Sequence, residues 1–253
     1  MQNYTLSIIV PALNEEKNIE AAIDNSLSAL REENILGEVI VINDGSTDST
    51  PLLVKKKMEE NSSAIRMITH EKPMGIGASF WDGVDAANGD FVVLGAGDNE
   101  NDPREIFRYY GLLKQVDIVI PFIFNKEVRS LFRNILSLVF RSIINITFFT
   151  NFNYTNGTIL YRKSLLKELD HRSNGFFFQT DILIRLVKNG YLFAEVPHKL
   201  NLRMEGASKL ISLSSLCRVA IEYSGLVVDY YLKRNKRKTP FLADSATAIR
   251  RNI

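Results

Sequence analysis

Phe91-Val92-Val93-Leu94-Gly95-Ala96-Gly97-Asp98-Asn99-Glu100-Asn101-Asp102-Pro103 is an apolar run that stops at two glycines and then presents acids. The apolar part has the composition of a buried strand. Gly95 and Gly97 permit a sharp turn or the close approach of a ligand. Asp98 and Glu100 are two apart, so an extended backbone points both to one side. Two carboxylates at a strand's end could hold a hard divalent cation such as Mg²⁺ or Mn²⁺, which in turn holds a diphosphate. The same residues also read as a polar loop after a strand.

Outward from this stretch, strands alternate with helices. Leu6-Ser7-Ile8-Ile9-Val10-Pro11 reads as the central strand, with a loop Ala12 to Glu16 after it. The following helix carries Ile19, Ala22, Ile23, Leu27 and Leu30 on one face, with Asn14 as its expected N-cap. Glu38 to Asn43 is a second strand, Asp44 to Thr50 a capping segment, and Ile65 to Ile68 a third strand. The glycine-rich Lys72 to Ala78 opens a helix that ends near Asn88-Gly89-Asp90. This order predicts a doubly wound, mostly parallel α/β sheet flanked by helices. Such sheets bind ligands at the carboxyl ends of their strands, which gathers Pro11 to Glu15, Asp44 and Asp98 into one crevice. Gly75 and Gly77 lack the spacing of a dinucleotide fingerprint, and there is no Walker lysine.

The second half is less regular. Pro103 to Gln115 reads as a helix, and Val116 to Ile120, Thr158 to Tyr161 and Tyr191 to Pro197 as strands. Residues 129–149 are apolar with only basic interruptions, Arg129, Arg133 and Arg141. They read either as a core helix pair or as an interfacial helix facing lipid. Asp181 falls near a helix start. A last helix over Leu213 to Leu232 carries Arg218, Glu222 and Asp229, which argues against a bilayer span. Lys233, Arg234, Lys236, Arg237 and Lys238 follow it, and residues 239–253 read as a disordered tail. The expected organisation is therefore an α/β domain over 1–210, an amphipathic and basic extension over 211–238, and that tail.

A chain of 253 residues can bury a full core. Its net charge of +2 gives no reason to expect nucleic acid as a partner. One cysteine, Cys217, excludes an internal disulfide and fits a reducing compartment. No cysteine–histidine cluster suggests zinc, and His70, His171 and His198 are scattered. No secretory signal opens the chain, and no uncharged window of about 18 apolar residues predicts a membrane span. The expected location is the cytoplasm, peripheral on the inner face of the membrane.

Four segments together resemble the family 2 glycosyltransferases. Ile8 to Glu15 is similar to their "VVxPxxNE", and Asn43 to Thr50 to their "DDGSxDxT". Gly75-Ile76-Gly77-Ala78 with Gly83 and Gly89-Asp90 is similar to "GxGxAxxxG…GD". Arg203-Met204-Glu205-Gly206-Ala207-Ser208-Lys209 matches the "RxxGxSK" of members resembling dolichyl-phosphate mannosyltransferase. The resemblance implies a GT-A fold, a nucleotide-sugar donor, a divalent metal (Mg²⁺ or Mn²⁺) and inversion at the anomeric carbon. It implies that Pro11, Ala12, Leu13, Glu15 and Asp44, with Gly97 and Asp98, hold the nucleotide. Asp98 would meet metal and diphosphate, with Glu100 as a second acid, and Arg203 and Lys209 would meet phosphate charge. The chain departs from the pattern at Asn43, at Ala96 in place of the first acid of "DxD", and at Asn153.

Three functions follow. The first is a membrane-surface enzyme that glycosylates a polyprenyl phosphate, with Arg203, Lys209, Arg129 and Arg133 orienting the anionic acceptor. The second adds sugar to a hydroxyl of a growing cell-surface polysaccharide; it needs a general base, for which Asp181 is the first candidate and His198 the second. The third is a non-catalytic nucleotide-sugar binding relative. A homo-oligomer is left open by all three.

Overall fold

The computed structural model describes residues 5–99, 101–200, 213–232 and 241–252. Strands β1 (Leu6–Ala12), β2 (Gly37–Asn43), β3 (Ile65–Thr69) and β4 (Phe91–Leu94) alternate with helices α1 (Ile19–Glu32), α2 (Thr50–Glu60) and α3 (Ile76–Ala86). Then come α4 (Arg104–Phe107), β5 (Ile118–Ile123), α5 (Leu131–Phe148), β6 (Leu160–Arg162), α6 (Lys163–Lys167), α7 (Phe178–Lys188) and β7 (Phe193–His198). Helices α8 (Leu213–Tyr231) and α9 (Ala246–Arg251) follow. Among the described residues the strands form one seven-stranded sheet in the order β3-β2-β1-β4-β6-β5-β7. Only β6 is antiparallel to its neighbours, β4 and β5. The carboxyl ends of β1, β2, β3, β4, β5 and β7 therefore share one edge.

The alternation along β1 decides the layers. Ile9 joins Ile40, Phe80, Trp81, Phe148, Phe177 and Leu183 on one face. Ile8 and Val10 join Ile19, Ile23, Val39, Val41 and Val54 on the other. Successive strand side chains point to opposite faces, so two helical layers cover one sheet.

Several expectations need correction. The helix expected over Pro103 to Gln115 is instead α4 followed by a 3₁₀ turn, Tyr110–Lys114. Asn14 has φ of +56° and caps no helix; α1 begins at Ile19 with Asn18 before it. Residues 129–149 hold one long helix, not a core pair. Only Ile144 and Phe148 of α5 are buried, while Leu131 and Ile146 are each 74% exposed. With a mean hydropathy of 1.3 over 18 residues, α5 is long and apolar enough to cross a membrane, although Arg133 and Arg141 fall within it and it is not an uncharged window of the kind the sequence lacks. Its far half is nevertheless held to the domain. Thr147 Oγ1 and Tyr223 of α8 share a 2.7 Å hydrogen bond, and Phe148 meets Tyr230 edge-on at 5.5 Å.

The tail expected to be disordered is ordered over residues 241–252. Asp117, fully buried at the foot of β5, accepts hydrogen bonds from Ala246 N (2.7 Å), Thr247 N (3.0 Å) and Thr247 Oγ1. Arg162 Nε, at 3.3 Å, completes its partners. A carboxylate on the first amides of a helix is favourable. Phe241 adds an edge-on contact with Tyr191 at 5.3 Å. Local composition gave no sign of this docking, because the residue that binds the tail lies far from it in sequence.

Candidate active site

The loops after β1 and β2 are stapled to each other. Asp44 N donates to Ala12 O (2.9 Å), Asn14 N to Ser46 Oγ (3.0 Å), and Thr47 N to Asn14 Oδ1 (2.8 Å). Glu15 N donates to Thr50 Oγ1 (2.8 Å), and Ser49 N to Glu16 Oε2 (3.0 Å). Asn14 thus serves as a cross-loop clip, which explains its left-handed backbone. Ala12 has its side chain in the core, and its carbonyl serves Asp44, so only its backbone borders the crevice. Pro11, Leu13 and Glu15 are half-buried at the rim. Asn43, in place of the expected aspartate, accepts Ser46 N at 3.1 Å, a bond a carboxylate would also make.

Asp44 is 5% exposed and turned inward. Its Oδ1 accepts from His70 Nδ1 (2.7 Å) and Met74 N (2.8 Å), and its Oδ2 from Gly75 N (3.0 Å). It anchors the loop that opens α3, a role the motif alone did not suggest.

The loop after β4 meets β1. A Cβ at Gly97 would lie 2.5 Å from Pro11 O, so only glycine allows this approach. Asn99 N donates to Ala96 O (3.1 Å), closing the turn that carries Asp98, and Asn25 of α1 holds Asn99 Oδ1 at 2.9 Å. Asp98 is half-buried at the same edge as Pro11 and Asp44. Glu100, Arg203 and Lys209 lie outside the described residues. Among the described residues no three histidine, cysteine or acidic side chains cluster as a metal site. Asp98 alone fits a weakly caged, hard cation that takes most of its ligands from a diphosphate and water, which is how Mg²⁺ is commonly held.

Asp181 is buried on α7 in an ion chain: Arg185 Nε donates to Asp181 Oδ2 (2.8 Å), and Arg185 also meets Asp229 of α8 (3.0 Å). Burial raises the Asp181 carboxyl above its ordinary value, against the pull of Arg185. His198, at the carboxyl end of β7, is also buried, and its Nδ1 has no hydrogen-bond partner among the described residues. Burial lowers its basicity, with Glu105 pulling the other way.

A second concavity of about 260 Å³ lies beyond the end of β5. It is lined by Ile123, Lys126, Arg129 and Tyr154 and by one stripe of α5, Leu131, Asn134, Ile135, Leu138 and Arg141. Arg129 Nε is shut from solvent without a partner among the described residues. Arg141 donates to Asn153 O at 3.1 Å. Of the expected acceptor arginines, Arg129 is at this groove, whereas Arg133 is not among its lining residues. Lys126 and Arg141 were missed. Helical spacing was the available signal, since Arg141 shares the face of Asn134 and Leu138 and Arg133 does not.

The model of the family described as Glycosyl transferase family 2 matches residues 7–170. A dodecaprenyl-phosphate galacturonate synthase of Rhizobium johnstonii is 27% identical over 172 residues, 67% of this chain and 51% of that protein. A dolichyl-phosphate beta-glucosyltransferase of Dictyostelium discoideum is 28% identical over 123 residues, 46% of this chain and 38% of that protein. The chain thus spans about half the length or less of these relatives. The crystal structure of glucosyl-3-phosphoglycerate synthase from Mycobacterium tuberculosis with Mn²⁺, UDP-glucose and phosphoglyceric acid superposes with a TM-score of 0.65. It is 22% identical, covering 89% of this chain and 79% of that one. The same enzyme is also known with Mg²⁺ and UDP (TM-score 0.64, 21% identical, 89% and 79% covered). These likenesses show the GT-A fold.

Proposed function

The chain belongs to glycosyl transferase family 2, and from that premise we propose that it moves a sugar from a nucleotide-sugar donor to a polyprenyl-phosphate acceptor at the membrane surface. The observation that carries this reading is the groove beside α5. It combines Lys126, Arg129 and Arg141 with Leu131, Ile135 and Leu138, which suits an anionic head on an apolar chain. The named activities of the relatives from Rhizobium johnstonii and Dictyostelium discoideum point the same way.

The donor's nucleotide would lie along Pro11, Leu13 and Glu15, with its diphosphate towards Gly97 and Asp98. Asp98 and Glu100 would hold Mg²⁺ or Mn²⁺. Such an ion acts as a Lewis acid that neutralises the leaving diphosphate. Arg203 and Lys209 would add positive charge to the phosphates. An acceptor phosphate oxygen then forms a bond to the anomeric carbon, on the face opposite the bond that breaks to the nucleoside diphosphate. A phosphate monoester is already anionic near neutral pH, so no general base is required. This fits Asp181, whose carboxylate is committed to Arg185. Catalysis on the cytoplasmic side is part of the same proposal.

The test has two arms. Calorimetry with UDP, GDP and dTDP, with and without Mn²⁺, is expected to find one metal-dependent ligand, and Asp98→Ala to abolish the metal dependence. Transfer to undecaprenyl phosphate in vesicles is then compared with transfer to soluble glycans. The joint substitution of Arg129 and Arg141 by Ala is expected to raise the lipid acceptor's KM about tenfold or more. Transfer to a sugar hydroxyl alone would overturn the acceptor assignment.

A further inference from the structure

His70 stands just past β3 at the same sheet edge, and its N–H donates to Asn43 O (2.9 Å). Its side chain is only 7% exposed and lies between two carboxylates. Nδ1 is 2.7 Å from Asp44 Oδ1, and Nε2 is 2.9 Å from Asp82 Oδ2 on α3. A carboxylate only accepts, and a neutral imidazole has a single N–H. Both contacts are satisfied at once when the ring carries a proton on each nitrogen. Asp44 spends its remaining capacity on Met74 N and Gly75 N. Gly75 has φ of +101°, a conformation open to glycine and strained for any side chain. Two residues on, Gly77 N donates to Asn174 O at 3.0 Å, which fixes the far side of the loop. Arg172, a cation on this flank, is taken up by Asp85 at 2.9 Å, and Glu71 and Lys72 beside the ring are exposed.

We propose that His70 is a positioning residue for the donor: bridging Asp44 and Asp82, it sets the carboxylate that holds residues 72–75 against the nucleotide crevice. The inference rests on reading that crevice as the donor site. His70 touches no substrate. It acts through Asp44, so its loss falls on donor binding more than on turnover. Gln at this position can donate to one carboxylate but cannot span both.

The experiment compares wild type, His70→Gln and Asp82→Asn. Calorimetry uses whichever of UDP, GDP or dTDP the wild type binds. His70→Gln is expected to weaken that nucleotide about tenfold, and Asp82→Asn about threefold, since a hydrogen bond to a charged group is the interaction lost. The donor KM should rise by similar factors while kcat changes less. Asp82 is half exposed, so its variant keeps the test alive if His70→Gln does not fold. Wild-type affinity in both variants would overturn the proposal while leaving the donor reading intact. A wild type that binds no nucleotide would overturn both, and the silent wild type itself makes that outcome recognisable.

Discussion

Asn153 stands where the resemblance leads one to expect an aspartate. Its N and Nδ2 donate to the two oxygens of Glu195, at 2.6 and 2.8 Å. An aspartate there would set two carboxylates face to face, so the departure follows from its neighbour on β7. His198, on the same strand, supports a pH prediction. Burial holds it less basic in the folded chain than its ordinary value of 6.5. The folded state therefore binds fewer protons than the unfolded one. The stability this contributes is present above about pH 6.5 and is lost as pH falls towards the folded value. Thermal melts of wild type are expected to fall between pH 7.5 and 5.5. The fall should be shallower in His198→Gln, and parallel curves would remove His198 as its source.

At the scale of the element, the proposed membrane attachment rests on α5. Its groove stripe faces Ile123 and Tyr154, its far end packs on Tyr223 and Tyr230, and the remaining surface is largely apolar, broken by Arg133 and Ser142. Phe132 is 63% exposed and Ile146 74%. Ile221 on α8 and Leu232 just past its end are similarly open, and five cations follow in sequence before residue 239. Such a surface next to basic residues suits an anionic bilayer. Burying one large aliphatic or aromatic side chain is worth about 1.5–3 kcal/mol. Phe132→Glu with Ile146→Glu should therefore lower co-sedimentation with anionic vesicles at least tenfold. The melting temperature should barely move, because neither side chain is in the core. Undiminished vesicle binding would mean that α5 does not carry the attachment.

At the scale of the whole molecule, the last residues return to the far edge of the sheet. Asp117 links β5 to α9 through Ala246 and Thr247 and to β6 through Arg162. Leu192 N donates to Thr247 Oγ1 at 2.7 Å, bringing in the segment before β7. Asp117→Ala would strip a largely buried cation, two amides and a hydroxyl of their acceptor, a loss of about 3–5 kcal/mol by analogy with broken buried pairs. It is expected to lower the denaturation midpoint sharply and to expose residues 241–252 to limited proteolysis. An unchanged midpoint would mean the tail adds no stability.

The local pattern of residues specifies the sheet and the edge at which its loops gather. Short apolar runs closed by Pro11, Asp44 and the Gly95–Asp98 turn are local signals, and a doubly wound sheet has one edge for its loops. It also marked Asp98 and Arg129. Only the tertiary structure decided the partners. Asp44 looks inward because His70 lies beneath it, and Asp181 is committed because Arg185 and Asp229 converge on it. Arg141, not Arg133, joins the groove because α5 is one helix with one docked face. The tail is ordered because Asp117, more than a hundred residues earlier, awaits its amides. Each of these rests on contacts between distant segments, and no local pattern of polar and apolar residues encodes such a contact.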